Sequence, residues 1–177
     1  LPLIRQYRQR YARYLFENKG DHIEIERLYE LAEQYYENDQ VILGDPEEQA
    51  AIERLDWQGI RRVRRENYAY LLSQISTIPE VTPIFPQLQT ENMPLGLPVY
   101  FSWVSRDRIN ESLGEARVGL TIHWEDMHPH PETPAQRLAM EMSSKILTLA
   151  IDQYASREQL DYQVEQLIQA VNAARLR

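Results

Sequence analysis

The stretch TIHWEDMHPHPE, Thr121 to Glu132, holds three of the chain's four histidines together with Glu125, Asp126 and Glu132. Imidazole and carboxylate side chains at this density form a donor set for zinc or another borderline metal ion. Such a site would use His123, His128 and His130, with Asp126 and Glu132 as further ligands. The spacing is a poor match, because His-x-x-x-x-His-x-His on an irregular segment lacks the helical pairing of His-Glu-x-x-His. Pro129 and Pro131 also stiffen this backbone independently of any ligand. A single histidine at a strand end can serve instead as a general acid or base near neutral pH. The plainest alternative is a polar surface turn following a strand.

Other chemistries find less support. There is no cysteine, and no Gly-x-Ser-x-Gly elbow places a nucleophile beside these histidines. The six glycines form neither a Gly-x-Gly-x-x-Gly nor a Walker loop, so no phosphate cradle is encoded. A net charge of −8 argues against nucleic acid as a partner, since displacing phosphate counterions takes a basic surface. No run approaches the ~20 apolar residues that span a bilayer, so no membrane partner is expected. The arginine-studded start, LPLIRQYRQRYARYLF, is unlike a signal peptide. Absence of cysteine suits a reducing cytoplasm. The chain opens at Leu1, as a processed or truncated piece of something longer would.

The elements that would position this stretch can be read from periodicity. The chain has 177 residues, 43% of them hydrophobic, enough to bury a core. Ile4, Tyr7, Tyr11, Tyr14 and Leu15 make one apolar stripe, and Ile25, Leu28, Tyr29, Ala32, Tyr35 and Tyr36 a second. Gly20 stops the first helix, and Asp21 with Glu24 resembles a capping box for the next. Gly44, Asp45 and Pro46 supply a stop, a cap and a first helical residue. A third stripe continues through Ile60, Val63, Asn67, Leu71, Leu72 and Ile75, with a bend expected near Gly59. The tyrosines lie on these stripes as core or interface residues. The opposite-signed charge blocks, RRVRR (61–65) among them, are expected to be solvated faces that attract one another.

After Ser76 the character changes. STIPEVTPIFPQLQTENMPLGLP is loop, with at most a short edge strand at Val81 to Phe85. Strands are expected at Leu97–Val104, Val118–Trp124 and Ile146–Ile151. Helices capped by Ser105, Thr133 and Ser156 lie between and after them, the first with Ile109 and Leu113 facing inward, the last with Leu160, Val164, Leu167, Ile168 and Val171. The expected fold is α+β: an N-terminal helical segment (1–75) leads into a small domain (76–177) with a three- to four-stranded, mostly antiparallel sheet covered by helices on one face.

The order of segments resembles a known family. IRRVRRENYAYLLSQISTIPEVTPIFPQL is similar to the helix and loop that begin the C-terminal domain of the DegT/DnrJ-type aminotransferases, pyridoxal-phosphate (PLP) enzymes of fold type I. NMPLGLPVYFSWVSRDRINESLGEARVGLTIHW resembles that domain's strand, short helix and strand, where an Arg-Asp pair opens the helix and His-Tyr-Pro or His-Trp-Pro ends the second strand. KILTLAIDQYASREQLDYQVEQLIQAV resembles the closing strand and helix. The resemblance covers roughly residues 58 to 172; residues 1–57 match less clearly. Glu125 stands where the family has proline.

The resemblance implies the C-terminal portion of a sugar-nucleotide aminotransferase-like protein. It would form one wall of the substrate cleft, with His123 and Trp124 on the substrate side. PLP in the complete protein would be held mainly by an N-terminal large domain, the partner that carries the Schiff-base lysine and is absent from this chain. A homodimer is implied as well. The two lysines here, Lys19 and Lys145, sit in no context like the family's lysine segment, so neither catalysis nor cofactor binding is expected of this chain alone. Two readings stand beside it: a stand-alone α+β binding module using its tyrosine-rich helices, and a small metal-binding protein using His123, His128 and His130.

Overall fold

A computed structural model describes residues 2–36, 46–123 and 133–175. The described chain forms seven helices and a three-stranded antiparallel sheet. It divides into two compact units, 1–55 and 56–177.

The first unit contains α1 (Pro2–Glu17), α2 (His22–Tyr36) and α3 (Pro46–Glu53). Gly20, at φ 121°, supplies the left-handed turn between α1 and α2. Asp21 then accepts from the Ile23 amide at 2.9 Å to start α2. Ile25 and Ala32 are buried, and the Tyr7 ring lies 5.6 Å from Tyr11 and 5.2 Å from Tyr29. Tyr7, Tyr11 and Tyr29 therefore pack ring against ring. The charge blocks meet across the helices, Arg10 to Glu24 at 2.8 Å, Arg8 to Glu48 at 3.4 Å and Arg5 to Glu47 at 3.6 Å.

The second unit runs α4 (Trp57–Ile75), β1 (Val81–Pro83), β2 (Gly96–Phe101), α5 (Arg106–Glu115), α6 (Pro134–Ser143), β3 (Ile146–Ala150) and α7 (Arg157–Arg175). The expected bend near Gly59 is a break. α3 ends at Glu53, and Asp56 restarts the chain as α4 by accepting from the Gly59 amide at 2.9 Å. A side-chain cap there satisfies a free helix-end amide that a continuous helix would have used internally.

The sheet order is β1-β2-β3. Val81 pairs with Phe101, Val99 with Leu147, and Leu97 with Leu149. These residues alternate inward, and they form one core with Tyr68, Leu71 and Ile75 of α4, Ile109 and Leu113 of α5, and Leu160, Val164, Leu167 and Val171 of α7. Ser105 caps α5 as expected, and Thr133 with Gln136 makes a capping box on α6. Ile168, expected on the inner stripe of α7, is 38% exposed; Ala170 and Gln163 are buried there instead.

Gln163 has a specific task. Its amide donates to the Ala150 carbonyl at 3.1 Å and accepts from the Ala150 amide at 3.0 Å, so the side chain completes the backbone pairing of β3. Asn67, also buried, donates to the Asp152 carbonyl at 2.9 Å.

Candidate functional site

Of the expected strand Val118–Trp124, the described residues 118–123 form a single antiparallel bridge, Thr121 to Thr148. The cause lies at the end of α5. Arg117 adopts φ 59°, and the Val118 amide donates to the Leu113 carbonyl at 2.8 Å, so the chain is still leaving the helix where the ladder would begin. The alternation survives this loss. Val118 is buried and Leu120 and Ile122 pack against the core, while Gly119, Thr121 and His123 are exposed. Thr121 exchanges both backbone hydrogen bonds with Thr148, at 3.2 and 3.0 Å.

The register defines the outer surface of the sheet. Thr82, Tyr100 and Ile146 lie across from one another, and Pro98 lies across from Thr148. All five are partly or fully exposed, in contrast to the buried residues that alternate with them. Lys145 borders this surface, its ammonium 5.7 Å from the Tyr100 ring centre and 3.0 Å from Glu141. The Glu141 carboxylate, then Tyr100, hold Lys145 protonated above its ordinary range. That is the wrong direction for an amine that must lose its proton to attack a carbonyl. Lys19 is exposed and sits 3.1 Å from Glu17. Neither lysine fits a Schiff base.

Of the residues expected to carry function, His123 is exposed two residues beyond the bridge. Trp124, His128 and His130 lie outside the described residues, as do Glu125, Asp126 and Glu132. Among the described residues, no group of three or more His, Asp or Glu side chains is placed to hold a metal ion. The Arg-Asp pair opens α5 as expected, with Arg106 Nε 2.6 Å from Asp107 Oδ1. Arg106 is 8% exposed, and its Nε and Nη1 are enclosed without a well-aligned hydrogen-bond acceptor.

RRVRR does more than solvate a face. Arg64 donates to the Pro94 and Leu95 carbonyls at 3.2 and 3.3 Å and to Gln153 at 2.9 Å. Arg65 donates to the Gln89 and Asn92 carbonyls, both at 2.8 Å. Arg61 donates to the Thr90 carbonyl and pairs with Glu91 at 3.2 Å. Three guanidinium groups thus staple the proline-rich segment 84–95 to α4. The signal was the spacing, since positions 61, 64 and 65 fall on one helical face.

No family model matches the chain, and no curated protein matches it. Solved structures do. A Streptococcus pneumoniae protein assigned as a sugar aminotransferase, in its pyridoxamine-phosphate (PMP) form, superposes with TM-score 0.55 at 17% identity, over 67% of this chain and 32% of that one. The aminotransferase TlmJ from Streptoalloteichus hindustanus gives 0.54 at 17%, over 66% and 33%. The sugar aminotransferase CalS13 from Micromonospora echinospora gives 0.52 at 16%, over 66% and 31%. The chain spans about a third of the length of each of these structures. At this identity the likeness shows a shared fold. Among the described residues, no helix is long and apolar enough to cross a membrane.

Proposed function

We propose that this chain is the C-terminal, small-domain portion of a PLP-dependent aminotransferase-like protein acting on a sugar nucleotide, and that it walls one side of the substrate cleft. The observation that carries the reading is the shared fold with aminotransferases over about two thirds of this chain and a third of theirs. The S. pneumoniae relative is also solved in a PLP form, which supports PLP in the complete protein. The cofactor would belong to an N-terminal large domain, because neither lysine of this chain suits covalent attachment.

In this reading α4, α5 and α7 back the sheet, and the opposite surface carrying Pro98, Tyr100 and Thr148 faces the large domain. Period-two alternation from Thr121 brings His123 to that side. His123 and Trp124 then contact substrate, positioning it without acting on the reacting bond. The complete protein is a cytoplasmic homodimer. The stand-alone binding module and the metal-binding protein are not favoured, since the fold likeness is to aminotransferases.

The sequence upstream of the Leu1 codon tests this directly. An in-frame large domain with a lysine following a strand is expected, and an initiator methionine immediately before Leu1 would sink the proposal. Borohydride reduction of this chain with PLP should label no lysine stoichiometrically. In the full-length enzyme, His123→Ala should raise KM for the sugar nucleotide and leave the bound-cofactor absorbance intact.

A further inference from the structure

The outer face of α4 carries a two-part groove that the aminotransferase reading does not use. Gln58, Arg61, Arg62, Arg65 and Glu66 line an open surface depression of about 360 Å³. A second, of about 340 Å³, is lined by Arg65, Glu66, Tyr68, Ala69, Leu72 and Leu88. Arg65 and Glu66 belong to both, so a cationic end runs into an apolar one. Leu88 comes from the stapled segment, and Arg61 and Arg65 fix that segment in place.

The charges at the cationic end do not cancel. Arg61 is paired with Glu91 and Arg62 with Glu66, at 3.2 and 3.1 Å. Arg65 donates from one nitrogen, Nη1, to two neutral carbonyls, and no carboxylate pairs with it among the described residues. Among the described residues, Arg61, Arg62 and Arg65 against Glu66 and Glu91 leave one net positive charge beside an apolar trough, on a chain of net charge −8. From Arg65 to Leu72 the helix rises about 10 Å.

We propose that this groove binds a small organic monocarboxylate with an unbranched apolar body of about six to eight carbons, the length that a rise of 1.5 Å per residue allows. The carboxylate sits between Arg62 and Arg65, where guanidinium geometry favours it. The body lies along Ala69, Leu72 and Leu88. A single negative charge matches the single uncompensated positive one. Glu66 opposes the ligand, by repelling it and by occupying Arg62.

The test is a titration of the whole chain, followed through the methyl signals of Leu72 and Leu88, with acetate, butanoate, hexanoate, octanoate and hexanol. The Kd should fall about fourfold per added methylene until the trough is filled. Hexanol should bind at least tenfold more weakly than hexanoate. Arg62→Gln, whose described ion-pair partner is the surface residue Glu66, should weaken hexanoate; Glu66→Gln should tighten it. Equal binding of acetate and hexanoate, equal binding of hexanol and hexanoate, or indifference to both substitutions would each overturn the proposal.

Discussion

The Asn67 side chain donates to the Asp152 carbonyl at 2.9 Å, and more distantly to Ile151 at 3.4 Å, joining the middle of α4 to the chain just after β3. An amide on an otherwise apolar stripe is thereby explained, since a buried amide must find an acceptor. Asn67→Ala should cost about 1–3 kcal/mol by stranding that carbonyl. Asn67→Asp should cost more at neutral pH, because a carboxylate cannot donate, and its deficit should shrink on acidification. Urea unfolding at two pH values separates the two variants.

Arg65 holds the turn between Gln89 and Asn92 from one nitrogen. Arg65→Ala should destabilise by about 1–3 kcal/mol, the range for hydrogen bonds from a charged donor. It should also accelerate amide exchange in residues 87–92 ahead of the rest of the second unit. Arg65→Lys should fall between, since an ammonium lacks the planar fork. Exchange that speeds up uniformly would contradict the staple.

Arg175 near the end of α7 pairs with Glu80 before β1, with Nε 2.6 Å from Oε1. The Arg175 hydrogen bond holds the Glu80 carboxyl below its ordinary value of 4.5. A depressed folded-state pKa means the pair stabilises above that ordinary value and is lost as pH falls through the lowered one. Glu80→Gln should therefore lower the melting temperature at pH 7, and the loss should be smaller at pH 2. An equal loss at both pH values would assign Glu80 a role other than charge.

A Cβ on Gly96 would stand 2.2 Å from Thr148 Cγ2 and 3.0 Å from the Leu149 carbonyl oxygen. Gly96→Ala should cost about 1–3 kcal/mol through overpacking. Adding Thr148→Ser, which deletes the closer atom, should restore part of that loss. A double-mutant cycle showing strict additivity would place the strain elsewhere.

Much of this architecture was legible in the sequence, for reasons that differ by element. Ser105 and Thr133 announced their helices because a capping hydroxyl and the first-turn amides are local partners. The strands expected at Leu97–Val104 and Ile146–Ile151 were legible because β-branched and aromatic residues pack well on a pleated surface, though they end sooner, at Phe101 and Ala150. Residues 118–123 of the expected strand Val118–Trp124 have the same composition and the correct inward alternation, yet form one bridge among the described residues; pairing depends on where Arg117 releases the chain from α5, which side-chain type does not encode. The break before Asp56 was hidden because the apolar stripe carries on across it. At the candidate site only His123 falls among the described residues. The arginines were visible as a charge block, but their acceptors are backbone carbonyls some 24–31 residues away, and carbonyls carry no sequence signature.

The outward amide and carbonyl groups of β3 at Thr148 and Ala150 are taken up by Thr121 and by the side chain of Gln163. A sheet margin with open backbone groups can recruit strands from other molecules. Here a glutamine on a helix behaves as a detachable piece of strand, so the margin is occupied at Thr148 and Ala150 without a full fourth strand being laid down. Losing that one uncharged side chain would reopen the Ala150 amide and carbonyl as a template for an incoming strand.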